Sequence, residues 1–289
     1  MTRPSGLPEL LGHPRFELVP LRGVEEEADH LPAGATATVT CSPRKGIEAT
    51  VELARRLAGR GFRAVPHLAA RLIDGPGHLE DLVGRLVADG VEEVFVIGGD
   101  PPEPVGSYRA ALDVLEDLGA LGRPFVSVGI GGYPERHPFI GPEELLDALL
   151  EKQPFAGYIV TQICFEPNRI FDWLEGIRAR GVTLPVHIGL PGAVSRRKLL
   201  EIALRIGVGD SIRYLTKHGS LVARMMRRAS YRPDAVLAGL SRAPLGLGIT
   251  GLHLNTFNQV RSTERWRHRV LSDPRWTGAV VLDEDETGA

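Results

Sequence analysis

The chain has 289 residues, 43% of them hydrophobic and 24% charged, with a formal net charge of -2. A chain of this length buries a large core without disulfide or metal staples, and near-neutral charge excludes a protein built to coat phosphate backbones or anionic lipid. No apolar run approaches the ~20 residues that span a bilayer, so neither nucleic acid nor a membrane is an expected partner.

The cysteines are Cys41 and Cys164, far apart and without C-x-x-C or H-E-x-x-H spacing, so neither a disulfide framework nor a metal site is expected. The first residues hold Pro4, Gly6 and Pro8 and no basic-then-apolar run. They are not expected to be a signal peptide, and the cytoplasm is the expected location.

Short apolar runs alternate with longer amphipathic segments, the pattern of parallel strands joined by helices. In chain order, strands are expected at 16–19, 36–40, 63–67, 93–97, 125–130, 157–161, 185–189 and 251–255. Eight is the count of a closed (β/α)8 barrel. Helices are expected at 47–58, 79–88, 108–118, 143–150 and 170–178. Ile47, Val51, Ala54 and Leu57 line one face of the first. Ser195 suits the cap of a helix over 198–206, with Arg196 and Arg197 in its first turn. The stretch 207–248 holds extra helices at 211–226 and 233–240 before the last strand. A single barrel domain over 1–289 is expected, with loose termini at 1–14 and 277–289.

Chemistry in such barrels sits where strands end. Polar groups there are Glu17, Thr40, His67, Asp100, Thr161, Gln162, Asn255, Thr256 and Asn258. Glu17 lies between Phe16 and Leu18, where a carboxylate is costly unless paired or used. It is either a functional acid or half of a structural ion pair. His67 reads as a hydrogen-bonded core histidine or as a ligand contact. Gly98-Gly99-Asp100 is a plain loop, or a place where backbone approaches a flat ligand closely. Gly131-Gly132-Tyr133 reads the same two ways. Arg227-Arg228 reads as a solvated helix face, and both cysteines as small buried residues.

In this order the motifs resemble the methylenetetrahydrofolate reductase family. The resemblance runs from Phe16 to Asn258 and is carried by Phe16-Glu17-Leu18-Val19-Pro20, Val39-Thr40, Pro66-His67-Leu68, Gly99-Asp100, Tyr133-Pro134-Glu135-Arg136-His137-Pro138, Thr161-Gln162 and His253-Leu254-Asn255-Thr256-Phe257-Asn258. It implies a barrel that passes hydride from NAD(P)H, through FAD, to methylenetetrahydrofolate. The family's acid falls on Glu17, and its aspartate beside flavin and pterin on Asp100. Folate contacts fall on Gln162 and Asn255. FAD contacts fall on Thr40, His67, Gly99, Asp100, Tyr133 and His137, and on Lys152 as a diphosphate partner. Glu17 is expected to have a raised pKa, as suits a general acid.

The chain also departs from that pattern. Gly98 stands where the family has arginine, Ser195-Arg196-Arg197 where it has a stacking phenylalanine, and Gln259 where an arginine follows the last strand. The alternatives are a flavin-independent reductase, a related folate demethylase, or a non-catalytic folate- or flavin-binding barrel. A homo-oligomer is compatible with the chain and not required by it.

Overall fold

The computed structural model describes residues 7–137, 139–195, 230–242 and 246–277. Eight parallel strands close into a barrel. They are β1 (Arg15–Leu18), β2 (Thr36–Val39), β3 (Arg63–Ala69), β4 (Glu93–Ile97), β5 (Ser127–Gly132), β6 (Tyr158–Thr161), β7 (Val186–Pro191) and β10 (Ile249–Asn255). β1 closes the ring by pairing with both β2 and β10. Two short strands, β8 (Val194–Ser195) and β9 (Ser230–Tyr231), form a separate antiparallel pair between β7 and β10.

The outer ring contains α3 (Gly46–Gly59), α4 (Pro76–Ala88), α5 (Ala111–Ala120), α6 (Pro142–Lys152) and α7 (Pro167–Ala179). α1 (Leu7–Gly12), α2 (Val24–Ala28), α8 (Asp234–Leu240), α9 (Val260–Ser272) and α10 (Pro274–Thr277) complete the described helices. None of the described helices is long and apolar enough to cross a membrane.

β3, β4 and β6 divide their residues between two cores. Phe16 and Leu18 belong to the main cluster with helix residues such as Val51, Leu57 and Trp266. Val65, Phe95, Tyr158 and Val160 form a second, smaller cluster from β3, β4 and β6. Period-two alternation explains the division: one face of a strand meets the helices and the other meets the barrel interior.

The interior floor is polar. Arg15 at the start of β1 bonds Glu93 at the start of β4 at 2.5 Å, and its guanidinium lies 4.2 Å from the Tyr158 ring centroid. Neither β4 nor β6 neighbours β1 in the ring, so these contacts cross the interior. Tyr158 in turn meets the His187 ring edge-on at 5.4 Å. Gly129 makes room for this floor, because a Cβ there would strike the Tyr158 ring.

Several boundaries differ from the expectations. The fifth strand starts two residues late because Val126 is 84% exposed, outside the sheet, although Phe125 is buried. α5 starts at Ala111 because Asp113 accepts the main-chain N–H groups of Arg109 and Ala110, turning the chain there. Residues 7–12, expected to be loose, form α1. Leu11 is fully buried, and Arg267 donates to the carbonyls of Leu11 and Gly12 while forking onto buried Glu264. Of the extra helices, α8 is observed. The helices expected at 198–206 and 211–226, the four arginines 196, 197, 227 and 228, and the tail from 278 lie outside the described residues.

Candidate active site

Glu17 faces the interior beside three side chains from two other strands. His253 Nε2 lies 3.1 Å from Glu17 Oε2, and His67 Nε2 lies 4.0 Å from the same oxygen. The Asn255 amide satisfies its surroundings with nitrogen turned to the carboxylate, donating at 2.7 Å to Oε1 and 3.3 Å to Oε2. Parallel registration produces this meeting. Glu17 stands opposite Asn255 on β10 and opposite Thr38 on β2, and His253 lies on the same face of β10, two residues before Asn255.

The electrostatics follow. Burial pushes the Glu17 carboxyl up, but the hydrogen bond and charge of His253, with a smaller contribution from His67, outweigh it and the net shift is down. This corrects the raised pKa expected from apolar flanks: Phe16 and Leu18 face the helices, not the carboxylate. Burial is also the main cause that brings His67 down to about 4, so it is a neutral imidazole near neutral pH. Its Nε2, like Nδ1 of His253, is buried with no hydrogen-bond partner among the described residues. The His67 ring packs on Phe95 at 4.7 Å between centroids.

The seam behind Glu17 is tied by the residues after β10. Thr256 Oγ1 donates to the Glu17 carbonyl at 2.7 Å, and Asn258 holds Val19 through both main-chain groups. Phe257 and Asn258 take positive φ values of 50° and 53°, the tight reversal that lets both side chains reach back.

A second group forms where β4 and β5 end. Gly99 has φ 93°, and a Cβ there would come within 3.2 Å of Ala69, whereas Gly98 has open space in the same position. Asp100 follows and is exposed. Tyr133 and His137 pack edge-to-face at 5.0 Å. Burial raises Tyr133 with a further push from Asp100. Burial lowers His137 while Asp100 and Glu144 oppose it, so the Asp100 charge is felt by both rings. Burial raises Cys41 to about 11, and Asp100 adds to the rise. Thr40, beside Cys41, ties its N–H to the Leu18 carbonyl at 2.9 Å.

Other residues of the motifs have structural partners. Glu135 accepts the N–H groups of Phe165 and Glu166 at 2.7 and 2.9 Å, capping the start of α7 from another loop. Thr161 accepts the Gly189 N–H at 2.8 Å. Gln162 is exposed just after β6, and its carbonyl accepts from the buried Cys164 thiol. Lys152 is not brought to either group. It closes α6, a short 3-10 turn follows, and β6 then begins, so Lys152 belongs to the end where strands start. Beside Gly99, at the end where strands finish, the guanidinium of Arg71 is committed to the carbonyls of Pro101, Pro102 and Arg109.

His253 was not singled out from sequence as a site residue. Its signal was available: His253 and Asn255 sit two apart on an apolar strand, which puts both on Glu17's side of the sheet.

Fold and site together define a (β/α)8 barrel that holds a half-buried carboxylate against two buried imidazoles beside its strand ends. Within that class the chain belongs to the methylenetetrahydrofolate reductase family, whose sequence model matches residues 29–203, more than half the chain. Methylenetetrahydrofolate reductase (NADH) 1 of Arabidopsis thaliana is 24% identical over 200 residues, covering 61% of this chain and 32% of that protein. Methylenetetrahydrofolate reductase 2 of Saccharomyces cerevisiae is 25% identical over 123 residues, covering 39% and 20%. The chain thus matches about a third or less of the length of these relatives. A crystal structure of oxaloacetate acetylhydrolase superposes with TM-score 0.51 at 11% identity, covering 98% of this chain and 90% of that one. That likeness concerns the fold alone.

Proposed function

We propose that this protein is an NAD(P)H-dependent oxidoreductase that reduces methylenetetrahydrofolate to methyltetrahydrofolate, with FAD as its cofactor. The observation that carries the reading is Glu17: a half-buried carboxylate facing the barrel interior on the strand where the family keeps its acid. The strand-end groups fit a flat, hydrogen-bonding ring. Gly98 leaves open space, Gly99 brings backbone close, Tyr133 and His137 offer ring faces and edges, and His67 holds an unpaired buried nitrogen. Thr40 and Asp100 border the same ends.

When bound there, FAD would accept hydride from NAD(P)H and release it to the one-carbon unit. The chain's own residues do the rest. Asp100 places negative charge beside the site, where positive charge develops on the folate as its ring opens. Gln162 and Asn255 are the folate contacts in this reading. Glu17 gives a proton to the bridging amine nitrogen of the folate, and the C–N bond opens with its electron pair left on that nitrogen.

The test separates two half-reactions. General acid catalysis contributes about 10²–10⁴-fold, so Glu17→Gln should slow folate reduction by that factor and leave flavin reduction by NAD(P)H near the parent rate. Stopped-flow bleaching and reoxidation of the flavin read the two steps. Equal reoxidation by methylenetetrahydrofolate in parent and variant would sink the role of Glu17.

A specific observation favours a second reading, direct hydride transfer from nicotinamide to folate. Lys152 ends α6 at the wrong end to reach a diphosphate, and Gly98 stands where the family has arginine. The absorbance spectrum of freshly purified, active protein decides between them: flavin bands support the first reading, and a colourless active protein supports the second.

A further inference from the structure

We propose that His253 is the proton store of this site, and that Glu17 passes its proton on rather than holding it between turnovers. This rests on the reading of Glu17 as proton donor to the folate nitrogen. The geometry carries it. Against the push of burial, His253 holds Glu17 down as a carboxylate, which can only accept, so Nε2 of His253, 3.1 Å from Oε2, is the donor there and the Asn255 amide donates to Oε1 at 2.7 Å. A proton placed on Oε1 would face the amide donor, and one placed on Oε2 would face the imidazole donor. The resting pair is therefore Glu17 carboxylate with His253 protonated at Nε2, which leaves Nδ1 bare. That Nδ1 is buried and meets no hydrogen-bond donor among the described residues. The next proton to join the pair goes there, because it is the position where no existing donor is displaced.

The charged and titratable neighbours of His253 among the described residues agree with this. Glu17 on β1 favours a charged ring. His67 on β3, 6.4 Å away between centroids, stays neutral near pH 7 because burial brings it down to about 4. On β7, His187 is brought down to about 3, chiefly by burial, and is neutral too. Arg15, which stands opposite His253 in the strand register, has its guanidinium engaged by Glu93. Among the described residues, one anion and two neutral imidazoles stand by the ring, and the Arg15 guanidinium opposite it is paired.

The proton then moves in two balanced steps. His253 Nε2–H breaks and an O–H bond forms on Glu17, leaving a neutral imidazole protonated at Nδ1. The O–H bond breaks as N–H forms on the bridging amine of the folate, whose C–N bond opens with the electron pair left on nitrogen. Glu17 ends as carboxylate with the pair's one remaining proton on Nδ1, and uptake of a proton from solvent at Nε2 restores the doubly protonated ring for the next turnover.

His253→Gln and, as a second variant, His253→Asn keep an amide donor in place of the ring and remove its titration. In the parent, folate turnover falls as pH rises through the apparent pKa of the pair. If His253 stores the proton, that limb moves to lower pH in both variants, by about one unit or more. If the limb stays, or moves up because Glu17 has merely lost a partner that held it down, the proposal is overturned. A second readout needs no turnover. Long-range imidazole nitrogen spectra of the full protein should show Nδ1 of His253 gaining a proton over the same pH range in which folate turnover rises. In Glu17→Gln that change should move to lower pH. A bare Nδ1 throughout the range overturns the proposal even if the enzyme turns over. A parent with no folate turnover overturns the reading of the reaction, while the spectra still decide the role of His253.

Discussion

Asn258 holds Val19 at both of its main-chain polar groups: the side-chain oxygen accepts the Val19 N–H at 2.8 Å and the side-chain nitrogen donates to the Val19 carbonyl at 2.8 Å. The two residues are 239 positions apart, one just after the last strand and one just after the first. The amide works as a missing piece of β-ladder where the barrel closes. Asn258→Leu should leave both groups buried and unpaired, costing about 2–4 kcal/mol. Urea and thermal unfolding measure it, with Asn258→Asp, which keeps the acceptor alone, falling between variant and parent. A parent-like melting temperature for the leucine variant would show that the seam closes without this clamp.

Acid should weaken the fold through its buried histidines. Burial is the first cause in both cases, bringing His67 down to about 4 and His187, helped by the Arg15 charge, to about 3. A folded-state pKa below the usual 6.5 means that the unfolded chain binds the proton first. Stability from these groups is complete above pH 6.5 and is lost as pH falls through the window from 6.5 towards 4 for His67 and 3 for His187. Each unit of the window is worth about 1.4 kcal/mol per group. Urea midpoints taken down the pH scale should therefore fall, less steeply in His187→Asn. Midpoints that stay level from about pH 7 to about pH 4.5 would contradict the assignment.

Gly189 should be intolerant of any side chain. A Cβ there would strike the Thr161 carbonyl oxygen and press on the Gln162 main chain, and β6 cannot yield without losing its pairing with β7. Gly189→Ala should cost about 2–3 kcal/mol by overpacking. Gly141→Ala, with open space at the same radius, is the control and should unfold like the parent.

Glu135 is the member of the Tyr133–His137 run whose role is mechanical. Glu135→Ala should cost about 1–2 kcal/mol, as loss of a helix cap does. Glu135→Gln retains an acceptor for Phe165 and Glu166 and should recover most of it. Thermal melts of the three proteins check the order. Equal loss in both variants would mean that the charge, not the hydrogen bonds, matters.

Much of the barrel was legible because alternation and helix periodicity are local. β2 and β4 fall within a residue of their expected ends, and α3 within one or two. The functional residues were less legible, because their partners are remote. Glu17 could be picked out as a carboxylate between two large apolar residues, but its ionisation depends on His253, 236 positions away. Local sequence gave the apolar flanks and so the wrong direction of shift. Lys152 fails for a similar reason: position along the chain puts it near the motif, whereas the helix carries it to the far end. Glu135 and Asn258 read as motif members, and only the folded chain reveals that they serve main-chain groups of distant loops.

The floor of Arg15, Glu93, Tyr158 and His187 has a consequence for traffic. It stoppers the tube at the end where strands begin, with a side chain from each of four strands. Among the described residues it stands between that end and the Glu17–His253 pair, so the opposite rim is the expected route for water, protons and small solutes. A molecule docked on that rim would then work like the cork of a one-necked flask and slow the exchange of the carboxylate and its imidazoles with the bulk.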